Sequence, residues 1–192
     1  MWRRLVSGRA VTAEETKEII AEISITRERA ERLLQSVAEH DGDGNIVGIL
    51  GLSLRDHMHR FEVNGRALST WCAVDTLFLP AMLGQPASVT SQSPVAKTEV
   101  RLIVGPEGVR TLDPPGATIS IPDVDYDASD TESAGAIMGS FCHRIYFFAT
   151  REEGEQWADG RDDFRIVSVH EGFEYAMEIF SGVLSHAEAL GS

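Results

Sequence analysis

The segment TWCAVDTLFLPAMLG, residues 70–84, is the strongest constraint that the sequence places on the fold. It is apolar almost throughout, yet it contains Cys72 and Asp75, three residues apart. If the segment is helical after Trp71, this spacing puts both side chains on one face. A carboxylate in an apolar wall is costly unless it is hydrogen-bonded, protonated or used. We therefore expect a raised pKa for Asp75, which suits it to hold and pass a proton.

The second cysteine, Cys142, also lies among apolar and aromatic residues, in GSFCHRIYFF. The chain has two cysteines in all, which is a poor disulfide framework, so reduced thiols are the better expectation. Buried cysteines usually behave as small hydrophobic residues, and spacing alone favours that interpretation. The pattern leaves open whether Cys72 and Cys142 meet.

The composition predicts a globular protein without a nucleic-acid or membrane surface. With 43% hydrophobic residues in 192, the chain can build an ample core. The net charge is −13, and it is concentrated in residues 61–192, which carry eight basic and twenty acidic residues. Such acidity argues against binding nucleic acid or an anionic membrane. No run approaches the roughly 20 apolar residues of a membrane span, and the start lacks a secretory signal, so we expect a cytoplasmic protein.

Residues 1–65 are predicted to form a small winged-helix-like unit. Thr12 and Glu15 have the spacing of a capping box before a first helix. A second helix is predicted from Thr26, with a buried stripe of Ala30, Leu33, Leu34 and Val37. Asn64-Gly65, inside HRFEVNGRALSTW, is the strongest short hairpin signal. Two helices followed by a hairpin give the winged-helix-like interpretation.

Residues 66–192 are predicted to form a second, larger domain. The β-type runs are PASVTSQS, KTEVRLIVG, GATISIP and SFCHRIYFFAT, with GPEGV and LDPPGA as turns. A short helix near REEGEQWADG, a strand FRIVSV and a last amphipathic helix from Gly172 to Ala189 follow. The predicted fold class is α+β, with a mixed or antiparallel sheet flanked by helices.

Three other motifs have plainer interpretations. DGDGN, residues 41–45, imitates the start of a calcium loop but lacks its later ligands, so it is predicted to be a turn. The acidic stretch of residues 123–132 is expected to be a solvated surface loop. A zinc site from Cys72, Cys142, His143 and His59 is arithmetically possible, but no CxxC or HxxxH spacing supports it.

The motifs resemble those of the organomercurial (alkylmercury) lyases of bacterial mercury resistance. WCAxDTLxxPAxxG combined with the distant SFCxxxxFFA carries the resemblance, and further matches run from DGDGNIVG to IVSVHEGFEYAMEIF. The family splits the carbon–mercury bond by protonolysis, releasing a hydrocarbon and Hg(II). By matching position, the resemblance implies that Cys72, Asp75 and Cys142 are the catalytic residues and that residues 66–192 are the catalytic, alkylmercury-lyase-like domain. Ser93 and His143 stand where some members carry further cysteines.

The chemistry agrees with the resemblance. Thiolate sulfur is the side-chain ligand best matched to a soft cation such as mercury, and Asp75 can take a proton from a thiol and later give one to carbon. Hg(II) would remain, as the product, between Cys72, Cys142 and Asp75. An apolar wall would hold the organic group, with Trp71, Phe78, Phe141 and Phe147 as its candidates. The resemblance implies no cofactor, a need for external small thiols, and cellular thiols or a mercuric reductase as the Hg(II) acceptor.

Two rival functions remain at this point. A mercury-binding or transfer protein without turnover would need both cysteines but not Asp75. A winged-helix metal-responsive regulator would read DNA with the helix from Thr26. The charges of that helix are balanced, because its arginines are matched by nearby acids: Arg27, Arg29 and Arg32 against Glu28, Glu31 and Glu39. The regulator is therefore the weaker rival.

Overall fold

A computed structural model of the chain describes residues 1–22, 26–123 and 142–191, with side chains up to residue 181 except residue 179. Six α-helices and eleven strands lie in these ranges. The helices are α1 (Trp2–Val6), α2 (Ala13–Glu22), α3 (Arg27–Val37), α4 (Ala73–Leu83), α5 (Arg151–Ala158) and α6 (Val169–Gly191). The strands are β1 (Ala38–His40), β2 (Ile46–Ile49), β3 (Leu52–Ser53), β4 (His59–Val63), β5 (Arg66–Thr70), β6 (Ala87–Gln92), β7 (Glu99–Gly105), β8 (Gly108–Asp113), β9 (Thr118–Pro122), β10 (Phe147–Phe148) and β11 (Phe164–Ser168).

The strands form two antiparallel sheets. Eight strands pair in the order β1-β2-β3-β5-β4-β6-β7-β8, and three pair in the order β10-β9-β11. Along β4 and β7 the residues alternate between buried and exposed, as expected where one face of a sheet packs on a core. The predicted α+β class is confirmed, and the sheets are antiparallel rather than mixed.

Helix α4 lies between the large sheet and helix α6. It packs on β4, β5 and β7 on one side and on α6 on the other. Every residue from Ala73 to Pro80 is buried, which explains why this segment is apolar around its whole circumference. The apolar sequence of residues 70–84 is therefore that of a central helix, and its first turn carries the polar side chains.

The helical start follows its local sequence signals closely. Thr12 and Glu15 form the predicted capping box, with Thr12 Oγ1 accepting from the Glu15 N–H at 3.1 Å and Glu15 accepting from the Thr12 N–H at 2.9 Å. The Thr26 hydroxyl caps α3 by accepting from the Arg29 N–H. The predicted buried stripe is wrong at Leu33, which is 37% exposed. Ala30 is buried and Leu34 and Val37 are partly buried, since their i, i+4, i+7 spacing puts them on one face and leaves Leu33 at its edge.

The hairpin predicted at Asn64-Gly65 joins β4 to β5. Both residues have positive φ, 53° and 68°, as a type I′ turn requires. The predicted domain boundary after residue 65 falls inside this hairpin, where Val63 pairs with Arg66. Strands on both sides of the boundary belong to one sheet. A separate unit over residues 1–65 and its winged-helix-like character stay predictions.

Three predictions for the second half of the chain need correction. SFCHRIYFFAT was expected to be a strand, but Cys142–Arg144 is a 3-10 turn and only Phe147–Phe148 is β-structure. The turn GPEGV is followed by an additional strand, β8, whose side chains are mostly exposed and give no buried pattern. Helix α6 begins at Val169, three residues before the predicted start. Within the described ranges, no helix is long and apolar enough to cross a membrane.

Replacing Gly172 with alanine should loosen the packing of α6 on the small sheet. A Cβ at this position would lie 2.5 Å from Cγ2 of the buried Ile119, a β-branched side chain that cannot swing away. We expect Gly172→Ala to lower the free energy of unfolding by about 1–2 kcal/mol, although alanine is the better helix former. Denaturant titration measures the change.

Gly116→Ala is the matched control, since nothing lies within 4 Å of its Cβ position. It should change the unfolding free energy by less than about 0.5 kcal/mol. Equal stability of the two variants would contradict the close packing of α6.

Candidate active site

Cys72 and Asp75 cap the first turn of helix α4. Cys72 is the N-cap residue, and its backbone N–H donates to Oδ2 of Asp75 at 2.8 Å. In return, the Asp75 backbone N–H points at the Cys72 sulfur, which completes a capping box with sulfur in place of the usual hydroxyl. The Thr70 hydroxyl donates to the Cys72 carbonyl at 2.9 Å and fixes the chain as it leaves β5. The two side chains therefore lie on one face of the helix, as predicted.

The turn between β2 and β3 closes one side of this pair. Gly51 has φ +89°, and its carbonyl accepts from the Trp71 N–H at 2.9 Å. A Cβ at Gly51 would overlap the carboxyl group of Asp75. Glycine is thus required both for the backbone conformation and for the close approach of the carboxylate.

Cys142 reaches the same place from the second half of the chain. It begins the 3-10 turn Cys142–Arg144, and the Ile145 N–H donates to its carbonyl at 3.2 Å. The Ile145 carbonyl in turn accepts from the Ala73 N–H in the first turn of α4, at 3.4 Å. This bond ties the turn of Cys142 to the helix end that carries Cys72.

The two sulfurs and a carboxylate oxygen form one cluster. The ligand atoms of Cys72, Asp75 and Cys142 all lie within 4.8 Å of one another. Two metal–sulfur bonds of about 2.3 Å, the length zinc makes, span about 4.6 Å when linear, so the cluster is of the right size for one metal ion. Its side chains are nearly inaccessible: Cys72 is 0%, Cys142 3% and Asp75 7% exposed. Both cysteines are free.

Burial shapes the ionisation of all three groups. It raises the pKa of Asp75 to about 6, against the lowering effects of its hydrogen bonds with Cys72 and of the charge on His57. Burial also raises the pKa of the Cys72 thiol, helped by Cys142 and the negative charge of Asp75. For Cys142, the hydrogen bond with Cys72 lowers the pKa, but burial and Asp75 outweigh it and the net shift is upward. At neutral pH the cluster therefore holds two thiols beside an ionised carboxylate.

The predicted wall residues are placed as follows. Trp71 directly precedes Cys72 and is 6% exposed. Phe78 lies one turn beyond Asp75 on α4 and stacks on Phe180 of α6, with centroids 5.6 Å apart. Phe147 is fully buried and meets the ring of His59 edge-on. Phe141 lies outside the described residues. The contact of these rings with an organic group stays a prediction.

As far as the structure describes them, the other candidate metal-binding motifs weighed in the sequence contribute nothing to the cluster. In the described part of the chain, the one group of metal-ligating residues is Cys72, Asp75 and Cys142, without a histidine. His59 is buried, with its Nδ1 2.8 Å from the Ser91 hydroxyl. DGDGN is a turn, as predicted, since Asp41 accepts from the Asn45 N–H at 2.8 Å. The acidic stretch lies outside the described residues beyond Asp123.

Two residues near the cluster were missed by the sequence reasoning. Glu39 of β1 accepts a hydrogen bond from the indole N–H of Trp71 at 3.2 Å. Nε2 of His57, in the loop before β4, lies 3.5 Å from the same carboxylate. Neither belongs to a motif with a known spacing. Glu39 lies 32 residues and His57 14 residues before Trp71, so no local signal could have indicated them.

Comparisons with known proteins agree on one family. The family model MerB, alkylmercury lyase, matches residues 52–181, a range that includes all three cluster residues. An alkylmercury lyase of Streptomyces lividans is 33% identical over 194 residues, covering 96% of this chain and 84% of the relative. One of Pseudomonas putida is 35% identical over 190 residues, covering 97% and 84%.

A solved structure supports the fold. The crystal structure of the mercury-bound form of MerB2 aligns with a TM-score of 0.74 at 22% identity, covering 91% of this chain and 84% of that chain. At this identity the likeness concerns the fold alone.

The raised pKa of Asp75 should appear in the stability of the protein. The folded state binds the Asp75 proton more tightly than the unfolded chain does, since the pKa rises from 3.8 to about 6. The tighter proton binding by Asp75 in the folded state therefore adds to the free energy of unfolding below pH 4. This contribution is lost as the pH rises to about 6. We expect the free energy of unfolding of wild type, minus that of Asp75→Asn, to fall across this window and to level off above it. A difference that does not change with pH would contradict the burial of an ionisable Asp75.

Proposed function

The chain belongs to the alkylmercury lyase family, and we propose that Cys72, Asp75 and Cys142 together split the carbon–mercury bond of organomercurials. The observation that carries this proposal is the cluster itself: two thiols and a carboxylate with ligand atoms within 4.8 Å, almost closed to solvent. Thiolates suit a soft metal, and the carboxylate supplies the proton-transfer group that mere binding does not need.

The first step is transfer of the organomercury group to the protein. The substrate enters as an organomercury ion held by an external thiolate. One cysteine of the pair exchanges with that thiolate, so a sulfur–mercury bond forms, another breaks, and the thiol proton leaves with the external thiol. Ionised Asp75 then accepts the proton of the second cysteine, whose sulfur becomes the second ligand of mercury.

The second step breaks the carbon–mercury bond. Two thiolates raise the electron density on mercury, so the bonding electron pair moves to carbon. Asp75 returns its proton to that carbon, giving the hydrocarbon, and Hg(II) remains bound by Cys72 and Cys142 with the carboxylate beside it. A pKa of about 6 lets Asp75 perform both transfers near neutral pH.

Burial of the cluster serves both steps. The raised pKa values of the two cysteines keep them as neutral thiols until a metal displaces their protons. The nearly dry surroundings keep water away from the leaving carbon, so the proton comes from Asp75. Trp71, Phe78, Phe141 and Phe147 are proposed to hold the organic group.

Release of the product needs a second pair of thiols. Two external thiols exchange with Cys72 and Cys142, carry Hg(II) away and return both protons to the protein. Cellular thiols or a mercuric reductase are the proposed acceptors. The cycle uses the side chains of the protein and external thiols, with no cofactor in any step.

The two rival functions are less well supported. A mercury-transfer protein would require the two thiols alone, whereas here the carboxylate lies within the cluster at large desolvation cost. A DNA-reading role for α3 is opposed by ion pairs along that helix, Arg27 with Glu31 and Arg32 with Glu28, both at 2.7 Å.

Turnover of phenylmercury tests the proposal directly. With excess small thiol, the protein should release benzene, measured by gas chromatography of the headspace. Cys72→Ser and Cys142→Ser should each abolish release, because serine is a poor ligand for a soft cation. Ser91→Ala, which removes a buried hydroxyl hydrogen-bonded to His59, is the control and should retain turnover. Full activity in Cys142→Ser would refute the two-thiolate mechanism.

Replacing Asp75 with asparagine separates the lyase from a transfer protein. Asparagine preserves the shape of the side chain but carries no acidic proton, so organomercurial binding should remain while benzene release falls by a factor of about 100 or more. Single-turnover measurements on the preloaded protein give the rate of the chemical step. Unchanged turnover would mean that the proton comes from another group.

A further inference from the structure

The carboxylate of Glu39 is the centre of a hydrogen-bond network outside the cluster. It accepts from the Ser53 hydroxyl at 2.6 Å and from the Trp71 indole at 3.2 Å. Arg55 Nη1 lies 3.3 Å and His57 Nε2 3.5 Å from the same carboxylate. The Glu39 side chain is only 10% exposed. Two hydrogen-bond donors and two basic side chains thus converge on one nearly buried acid.

The surrounding chain is shaped to admit this carboxylate. Glu39 pairs with Gly48 across β1 and β2, and a Cβ at Gly48 would lie 2.6 Å from Oε2 of Glu39. Burial raises the pKa of Glu39, but the hydrogen bonds of His57, Ser53 and Trp71 outweigh it and lower the pKa to about 2. The group is therefore charged at neutral pH and has partners on several sides.

Stability alone does not account for such a network. Replacing a buried ion pair with apolar residues is often neutral or stabilising. The burial of Glu39 therefore indicates that its carboxylate positions neighbouring side chains more than it stabilises the fold. Two of its partners lead to the cluster. Trp71 is bonded covalently to Cys72, and the charge of His57 acts on Asp75. The other two partners, Ser53 and Arg55, hold the carboxylate itself.

We propose that Glu39 is a positioning residue, which holds the indole ring of Trp71 in place as a wall of the organomercurial site. A planar ring with a fixed orientation offers its apolar surface to an organic group without the entropy cost of ordering it first. The inference rests on the proposed function, in which Trp71 borders the substrate. It assigns to residues 1–65 an indirect part in substrate binding, through the position of Trp71.

Glu39→Gln tests this role with little change of shape. A carboxylate can accept from all four donors, whereas a glutamine has a single acceptor oxygen and adds an NH₂ donor. The charged donors take that oxygen and the indole loses its partner. We expect the KM for phenylmercury to rise about tenfold, while kcat changes less than threefold because the proton donor is untouched. Trp71→Phe, which removes the N–H but keeps an aromatic ring, should have the same effect.

The double variant gives the decisive measurement. If Glu39 acts through Trp71, Glu39→Gln should add less than a twofold change in KM to Trp71→Phe. Multiplying effects would overturn the proposal, and so would a loss in kcat with KM unchanged. If Glu39→Gln does not fold, Ser53→Ala takes its place in the same cycle, since it removes one of the bonds that fix the carboxylate.

Glu153→Gln is the matched control. Its carboxylate also accepts three hydrogen bonds, from the Ser93 hydroxyl at 2.5 Å and from the N–H groups of Ala96 and Ala149 at 2.8 and 3.0 Å, but none from Trp71. It should leave the KM for phenylmercury unchanged. Should a small change in KM occur, it should multiply with the change caused by Trp71→Phe in the double variant. A KM rise equal to that of Glu39→Gln would reduce the role of Glu39 to general stability and overturn the proposal.

Failure of the proposed function would be distinguishable from failure of this inference. Benzene release by wild type is measured first and tests the lyase activity alone. If wild type releases no benzene, the same variants are compared by the equilibrium exchange of phenylmercury between the protein and a small thiol. A tenfold weaker exchange constant in both single variants, without further weakening in the double variant, would still support the role of Glu39. Unchanged exchange constants would overturn it.

Discussion

The reciprocal hydrogen bonds between Cys72 and Asp75 are the interaction on which the rest of the site depends. The first turn of any helix leaves N–H groups that need acceptors, and here a sulfur and a carboxylate supply them. The same helix end stabilises negative charge on both groups. One pair of side chains caps the helix and also supplies the thiolate beside an acid that the proposed reaction requires.

Burial around this cap sets the resting state of the cluster. A dry environment disfavours charge on all three groups, and the carboxylate, which has the lowest intrinsic pKa, is the one that stays ionised near neutral pH. Two neutral thiols beside one base are stable until a soft metal arrives and displaces their protons. The apolar helix α4, the Gly51 turn and the turn of Cys142 thus contribute to selectivity as well as to packing.

The parts of this architecture that local sequence determines could be predicted. The Thr12–Glu15 capping box, the Asn64-Gly65 hairpin and the common face of Cys72 and Asp75 each depend on residues within four positions of one another. The approach of Cys142 depends on a backbone bond between Ile145 and Ala73, which no spacing reveals, so the family resemblance alone indicated it. Glu39 lies 32 residues before Trp71 and meets it only because the strands pair into one sheet. In the sequence it is an acid in a polar segment, like any surface acid, so its contact with Trp71 could not be predicted.

The location of Glu39 bears on the role of the first 65 residues. A lid would act on the cluster by covering it, whereas Glu39 of β1 contacts Trp71, the residue next to Cys72, and is itself held by Arg55 and His57 of the loop before β4. These strands belong to the sheet that continues through β5 to β8. Strand β1 is therefore in the same sheet as β5, the strand that leads to Cys72, with β2 and β3 between them. If Trp71 borders the substrate as proposed, any movement of β1 relative to β5 would shift its ring, and the edge of the large sheet would help to shape the substrate wall.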